Sequence, residues 1–333
     1  MVERREPTPE GHVRSVDPFR DLPSVVDLID VAFGEHLDPS GKATLARMRR
    51  FAEGGPLLQW VWALLGKAAV APGLVWVVED RIVGNVSVRR ARNSEGYLIG
   101  NVVVHPECRG RGIASALMRR VIQAISRRGA RWVGLEVRVA NEVARGLYEN
   151  LGFKEVGRTY HLLRASALGK VGHPPRPDLM RRGRQNDGDA LVRLMKTTIP
   201  PEQRPLLEVQ AADYRPSWRR RVEHWLRCED EIWWIIPGGE GIAGAVRTVR
   251  KRGAFPNRME VLVQPESGSR FEGALVRQGI ASLGGPARKP IEISLPEATD
   301  SLLAALKEAG FEELRVLIQM KRSLGRRVPV RRT

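Results

Sequence analysis

The sequence is poor in cysteine and in long apolar runs. Cys108 and Cys228 are the only cysteines among 333 residues, too few for a disulfide framework and without the clustering of a metal site. No apolar run reaches the roughly 18 residues that a membrane span needs, and the N-terminus lacks the apolar core of a signal peptide. We therefore expect a soluble, cytoplasmic protein of about two domains, with neither a metal ion nor a membrane as a partner.

Lysine is scarce as well, although the chain is strongly basic. Nine of the 55 basic residues are lysine, and the formal net charge is +17. Clustered basic residues would indicate a nucleic-acid partner, but these arginines are spread along the whole chain, as on a solvated surface. We do not expect nucleic acid as a partner. Residues 325–333 form a basic tail that is predicted to be disordered.

The most informative stretch covers residues 102–118. A β-branched run at residues 102–104 predicts the end of a strand, which Pro106 terminates, and a loop with Gly110 and Gly112 leads into a helical apolar pattern. Glycine lets the backbone approach a bulky anion closely. The helix that follows points unpaired N–H groups and its positive dipole end at that anion. The loop is therefore a candidate pyrophosphate cradle.

Periodicity and turn residues predict the remaining elements of the first half. Strands are expected at residues 13–16, 74–78, 82–89, 97–105, 131–139 and 153–163. Helices are expected at residues 21–33, 43–51 and 141–150, and a further helix is expected to start at residue 113. The buried face of that helix is formed by Ile113, Leu117, Val121, Ile122 and Ile125. The apolar and aromatic residues at 57–64 indicate a core or domain contact.

The second half of the chain repeats the first. Residues 232–236, 242–250 and 261–265 parallel residues 74–78, 82–90 and 102–106, the last pair one residue out of step. Residues 167–177, rich in glycine and proline, read as a linker between the copies. In the second copy Phe271 lies near the place of Gly112, and Leu306 lies in the place of Tyr148. We expect this copy to have lost the chemistry and to have a structural or substrate-covering role.

Two motifs resemble the GCN5-related N-acetyltransferases. Arg109-x-x-Gly112-x-Ala114 resembles the Arg/Gln-x-x-Gly-x-Gly/Ala signature, whose loop holds the pyrophosphate of acetyl-CoA in that family. A second motif of the family is similar in order and spacing to Leu135-Glu136-Val137, Asn141, Ala144, Leu147-Tyr148 and Leu151-Gly152-Phe153. The first copy is most similar to the ribosomal-protein N-terminal alanine acetyltransferases.

The resemblance implies the fold and the domain boundaries. The expected fold class is α/β (α+β), with two tandem acetyltransferase-like domains, each a mixed, mostly antiparallel twisted sheet flanked by helices. The expected parts are a catalytic domain at 11–166, a linker at 167–177, a degenerate domain at 178–324 and a basic tail at 325–333. Mycothiol synthases are also tandem members of the family, but their active copy is the C-terminal one and no similarity beyond the duplication is evident.

The resemblance also implies the site. Acetyl-CoA is the expected acyl donor, without a metal ion, and the residues expected to bind it are Val102, Val103, Val104, Arg109, Gly110, Arg111, Gly112, Ile113, Ala114, Asn141 and Tyr148. Tyr148 is the expected acid for the departing thiolate, and it shares a helix face with Asn141, two turns earlier. Glu136 is the expected base for the amine, and His105 is the rival base.

The expected function is an acetyl-CoA-dependent N-acetyltransferase. A primary amine, from a peptide N-terminus, a lysine or a small amine, would attack the thioester directly, through a tetrahedral intermediate. An α-amine with a pKa of about 8 is neutral more often at pH 7 than a lysine at about 10.4, which favours a peptide N-terminus or a small amine. The alternative is a non-catalytic acyl-CoA or nucleic-acid binding module. The sequence leaves the acceptor and the oligomeric state open.

Overall fold

Two compact units make up the protein. A computed structural model describes residues 10–17, 20–34, 41–42, 45–46, 48–50, 73–92, 95–165, 179–239, 241–253, 255–284 and 289–325. Unit 1 consists of residues 1–137, 141–155 and 320–333, and unit 2 of residues 138–140 and 156–319. Of the predicted helix 43–51, residues 45–46 and 48–50 are helical. The predicted segment 57–64, the linker 167–177 and tail residues 326–333 lie outside the described residues.

Unit 1 contains most of the elements predicted for the first half. Its strands are β1 (His12–Ser15), β2 (Gly73–Val78), β3 (Arg81–Arg90), β4 (Gly96–Val104) and β5 (Trp132–Arg138), and its helices are α1 (Leu22–Phe33), α2 (Ile113–Arg127) and α3 (Glu142–Asn150). The ends of these elements agree with the sequence prediction to within one residue. Local apolar periodicity and turn residues therefore define this part of the chain.

The sheet of unit 1 has the strand order β1-β2-β3-β4-β5. Neighbours are antiparallel except β4 and β5, which are parallel. Glu79 and Asp80 have φ angles of 46° and 62°, so they form a two-residue hairpin turn between β2 and β3. Helix α2 buries the predicted apolar face, from Ile113 to Ile125. Helix α2 packs on the face of the sheet on which a side chain of Gly84 would lie, because a Cβ added to Gly84 would meet Ile113 and Leu117.

Unit 2 repeats this arrangement. Its elements are β7 (Arg181–Arg182), α4 (Gly188–Thr198), α5 (Trp218–Leu226), β8 (Glu229–Gly238), β9 (Gly241–Lys251), β10 (Asn257–Val263), α6 (Glu272–Leu283), β11 (Ile291–Pro296) and α7 (Asp300–Glu308). The strand order is β7-β8-β9-β10-β11, with β10 and β11 parallel and the other neighbours antiparallel. The predicted duplication is confirmed. None of the described helices is long and apolar enough to cross a membrane.

Two long strands each contribute to both units. Strand β6 (Lys154–Arg164) starts in unit 1, and its residues 156–164 belong to unit 2, where they pair antiparallel with β11. Strand β12 (Glu312–Ser323) starts in unit 2, and its last residues, 320–323, belong to unit 1. The sequence analysis assigned all of 153–163 to the first domain. The domain boundaries 11–166 and 178–324 stay a prediction.

The end of the described chain is bonded within unit 1. The Leu324 N–H donates to the Arg131 carbonyl at 2.8 Å, and Nη1 of Arg322 donates to the Leu151 carbonyl at 2.6 Å. The Lys321 ammonium lies 5.4 Å from the ring centroid of Trp132. Unit 1 thus depends on residues that follow unit 2 in the sequence.

We expect the chain shortened after Gln319 to lose more than about 2 kcal/mol of the free energy of unfolding of unit 1, because two hydrogen bonds worth about 1 kcal/mol each disappear and the buried side chain of Met320 is removed. Thermal unfolding followed by circular dichroism measures this loss. The control is the chain shortened after Gly325, which keeps these contacts and should melt like the full chain. Equal melting temperatures for both shortened chains would contradict the prediction.

Candidate functional site

The candidate site begins where β4 and β5 part. Their paired residues run from Gly96 with Trp132 to Ile99 with Leu135. Beyond that point β4 continues to pair with β3 after a shift of register, with Val104 opposite Gly84. The carboxyl ends of parallel strands lie at one edge of a sheet. The predicted cofactor-binding stretch, Val102 to Val104, therefore lies in the part of β4 that has left β5.

The glycine loop follows directly after this stretch. Gly110 and Gly112 have φ angles of +75° and +76°, and a Cβ added to either would meet no atom within 4 Å. Glycine is thus required by the backbone conformation, and the space in front of the loop is open. The side chain of any other residue at these positions would enter this open space.

Helix α2 starts at this loop without a side-chain cap. Gly112 is its N-cap, and no acidic residue lies in its first turn. The first helical bond runs from the Ala116 N–H to the Gly112 carbonyl at 3.0 Å. The N–H groups of Ile113, Ala114 and Ser115 therefore have no acceptor within the helix. Together with the positive end of the helix dipole they suit an anion.

Two arginines flank the loop. Nε of Arg109 donates to the Val104 carbonyl at 3.2 Å, and Nη2 of Arg111 donates to the Glu107 carbonyl at 3.2 Å. Both side chains are exposed. A guanidinium has five N–H donors in a fixed fork, so each arginine keeps further donors for an anionic ligand after making its backbone contact.

His105, the rival base, is engaged by its neighbours. Its Nε2 lies 3.0 Å from Nη2 of Arg81, and its Nδ1 lies 3.5 Å from the Glu107 carboxylate. Because a guanidinium only donates hydrogen bonds, the lone pair on Nε2 accepts from Arg81. His105 and Glu136 both stay candidates for the base.

The second predicted motif lies on β5 and α3. Glu136 is exposed and follows Leu135, the last residue of β5 that pairs with β4. Asn141 is the N-cap of α3, where its Oδ1 accepts from the Ala144 N–H at 3.1 Å. Helices α2 and α3 follow two parallel strands, so both begin at the same edge of the sheet. The structure thus brings the two motifs to one edge of unit 1.

Tyr148 is a buried member of this set. It is 6% exposed, and its ring meets Phe153 edge to face with centroids 6.1 Å apart. Burial raises the pKa of Tyr148 to about 12, because the charged phenolate would lose its hydration. The side chain therefore keeps its proton at neutral pH. The catalytic roles of Tyr148 and Glu136 stay predictions.

The corresponding loop of unit 2 is built differently. Phe271 takes the N-cap position of α6, with a φ of −110°, and its ring packs against the core of unit 2. Glu272 lies in the first turn, is 4% exposed, and accepts a hydrogen bond from the Thr299 hydroxyl at 2.8 Å. A carboxylate at a helix N-terminus takes the place that an anionic ligand would occupy.

Three polar residues near the parting of β4 and β5 were missed by the sequence analysis. Asn85, Ser87 and Asn101 are joined by side-chain hydrogen bonds. The sequence contained one signal for these residues: the one-residue offset between the two copies falls on this part of β4.

Comparison with known proteins finds a family model that matches part of the chain. Residues 71–155 match the family model described as an acetyltransferase (GNAT) domain. N-alpha-acetyltransferase MAK3 of Arabidopsis thaliana is 47% identical over 66 residues, which are 20% of this chain and 34% of that protein. N-alpha-acetyltransferase 30 of Schizosaccharomyces pombe is 38% identical over 85 residues, 24% of this chain and 56% of that protein. The chain thus spans about a third and about half of the length of these relatives.

Solved structures agree with the fold over nearly the whole chain. A GCN5-related N-acetyltransferase from Sphaerobacter thermophilus has a TM-score of 0.62 at 16% identity, covering 94% of this chain and 95% of that chain. A tandem GNAT protein from the clavulanic acid biosynthesis pathway has a TM-score of 0.60 at 13% identity, covering 95% and 99%. The predicted fold class is confirmed.

The raised pKa of Tyr148 gives a testable pH dependence. The folded-state pKa of about 12 lies above the ordinary value of 10.0, so the stabilisation from the neutral phenol is complete below about pH 10 and is lost as the pH rises through 12. Titration of tyrosinate absorbance in the full chain, minus the same titration of Tyr148→Phe, should show one group with a midpoint near pH 12. The guanidinium-unfolded proteins are the control. A difference midpoint near pH 10 in the folded protein would contradict this.

Proposed function

Since residues 71–155 form a GCN5-related N-acetyltransferase domain, we propose that the chain is an acetyl-CoA-dependent N-acetyltransferase whose active site lies in unit 1. One observation carries the proposal: the uncapped N-terminus of α2 behind Gly110 and Gly112 lies directly after the part of β4 that has left β5. These neighbouring features suit the two polar parts of acetyl-CoA, its diphosphate and its pantetheine amides.

Cofactor binding is assigned to backbone groups. The N–H groups of Ile113, Ala114 and Ser115 hold the diphosphate, with Arg109 and Arg111 beside it. The backbone of residues 102–104 pairs with the pantetheine amides as an additional strand would. Acetyl-CoA, once bound there, supplies the activated acyl group. Asn141 lies at the start of α3, where its Nδ2 remains a donor for the ligand after its Oδ1 caps the helix.

Removal of the amine proton is assigned to Glu136, and stabilisation of the departing thiolate to Tyr148. The exposed Glu136 carboxylate takes the proton of the attacking amine, directly or through water. The neutral Tyr148 hydroxyl donates to the departing thiolate. The environment of Tyr148 matches the second task, because a buried phenol is neutral at pH 7.

The proposed acceptor is the α-amine of a peptide or protein. The names of the two relatives, both N-alpha-acetyltransferases, support this class over lysine or small amines. The lower pKa of an α-amine supports it too, since about a tenth of such groups is neutral at pH 7. The reaction is placed in the cytoplasm, which the scarcity of cysteine favours.

Release of CoA thiol from acetyl-CoA in the presence of a peptide tests the activity and the acceptor together. We expect release with a free peptide N-terminus and little with the same peptide blocked at its N-terminus but carrying a lysine. Tyr148→Phe should lower kcat by roughly ten- to a thousandfold, as the loss of a positioned acid usually does, and should leave acetyl-CoA binding unchanged. An unchanged kcat, with acyl transfer shown to be rate-limiting, would remove Tyr148 from the mechanism.

Calorimetry with CoA tests which copy binds. We expect one CoA per chain, and no binding by Gly112→Val, because a side chain there enters the phosphate space and unit 2 offers Phe271 and Glu272 instead of a cradle. Gly129→Val is the matched control. Gly129 lies at the other end of α2, also has open space around an added Cβ, and has a φ of +77° against +76° for Gly112, so both variants carry the same backbone strain. Two CoA sites per chain, or CoA binding by Gly112→Val, would show that the site has been assigned to the wrong copy.

A further inference from the structure

In its pairing with the preceding strand, β4 has one extra residue that its counterpart β10 lacks. Gly84 pairs with Val104 and Ser87 pairs with Gly100, so three steps along β3 face four steps along β4, and the register shifts between Asn85 and Ser87. In unit 2, the pairing of β9 with β10 continues without a shift from Val249 with Arg258 to Gly244 with Val263. The extra residue is a β-bulge, and it accounts for the offset between the two sequence copies.

The bulge is held by a buried asparagine. Asn101 has a φ of +49°, a left-handed conformation that asparagine tolerates better than most residues. Asn85 is 1% exposed, and its Nδ2 donates to the Asn101 carbonyl at 3.0 Å and to Ser87 Oγ at 3.3 Å. Nδ2 of Asn101 donates to the same Ser87 Oγ at 3.3 Å. The Asn101 carbonyl at the bulge thus accepts its hydrogen bond from the side chain of Asn85.

The second copy is a natural comparison. Ala245 has the place of Asn85 and lies opposite Leu262, and a methyl side chain donates no hydrogen bond. Arg247 has the place of Ser87, and its Nη1 lies 3.2 Å from the Glu260 carboxylate on the facing residue of β10. The copy without the asparagine has neither the bulge nor the glycine loop. The three features occur together in one copy and are missing together from the other.

The position of the bulge connects it to the ligand. Gly100, where the extra residue enters, directly follows Ile99, the last residue of β4 that pairs with β5. A bulge bends its strand and increases the local twist, which carries residues 102–104 away from β5. We propose that Asn85 is a positioning residue of the cofactor site: its amide fixes the bulge at Asn101 and so keeps the backbone of residues 102–104 open to the pantetheine chain. This inference rests on the proposed function.

Asn85→Ala in the full chain tests the proposal. We expect the Kd for CoA, measured by calorimetry, to rise about tenfold, the size of effect that follows when a part-buried carbonyl loses its hydrogen bond. The KM for acetyl-CoA should rise by a similar factor, whereas the KM for the peptide acceptor should not change. A merely structural role would not separate the two KM values.

Two further variants keep the test decisive if Asn85→Ala folds poorly. Asn101→Gly added to Asn85→Ala should restore part of the CoA affinity, because glycine adopts a φ of +49° without strain, although the carbonyl of residue 101 still lacks the hydrogen bond from Asn85. Thr248→Val is the control for stability alone. Thr248 is also 1% exposed, lies on β9, and donates to the Ile232 carbonyl at 3.4 Å; its loss should lower the melting temperature and leave CoA binding unchanged.

The outcomes separate this inference from the proposed function. If the wild-type chain does not bind CoA, the proposed function is wrong and the inference is wrong with it. If the wild type binds and Asn85→Ala binds equally well, the inference alone is overturned. It is also overturned if Asn101→Gly restores no affinity, or if Thr248→Val weakens CoA binding as much as Asn85→Ala does. A selective loss that the glycine partly reverses supports it.

Discussion

The parting of β4 from β5 after Ile99 and Leu135 is the constraint on which unit 1 depends. The pairing with β3 keeps β4 in the sheet after it has left β5, and the bulge at Asn101 allows the strand to bend without losing that pairing. Helices α2 and α3 then start at the same edge, because each follows one of the parted strands. The backbone N–H groups of residues 102–104 in β4 and those at the N-terminus of α2 therefore lie one after the other at this edge of the sheet.

Unit 2 has the same strand arrangement without the bulge, and a network of charged side chains lies across the corresponding strands β9 and β10. Nε of Arg247 lies 2.5 Å from the Glu231 carboxylate, and the Tyr214 hydroxyl donates to Glu260 at 2.5 Å. Buried charges are costly unless they are paired in good geometry, and this pairing needs Arg247 and Glu260 to face each other across β9 and β10. A shift of register would break the network. Unit 2 is therefore stabilised by interactions that a strand bent for a ligand could not make.

Much of this could be predicted from the sequence, because strands, helices and the glycine loop depend on local patterns. The β-branched residues in 82–89 and the helical face from Ile113 to Ile125 indicate a strand and a helix from short stretches of sequence. The membership of residues 156–164 in unit 2 and of 320–323 in unit 1 was not predictable, since it depends on which distant strand pairs with which. Asn85 was missed for a related reason: a single polar residue in an apolar strand gains its meaning from Asn101, sixteen residues away.

The pKa of Tyr148 also limits how its proton can be used. A phenol with a pKa of about 12 gives its proton to a thiolate of pKa about 8.5 only at a cost of roughly 5 kcal/mol. Complete transfer is therefore unfavourable, whereas a hydrogen bond from the hydroxyl to the developing thiolate is favourable and is strengthened by the same low polarity that raises the pKa. Under the proposed function, Tyr148 would therefore stabilise the departing sulfur as a hydrogen-bond donor that keeps its proton, and Glu136 would pass the proton of the amine to solvent.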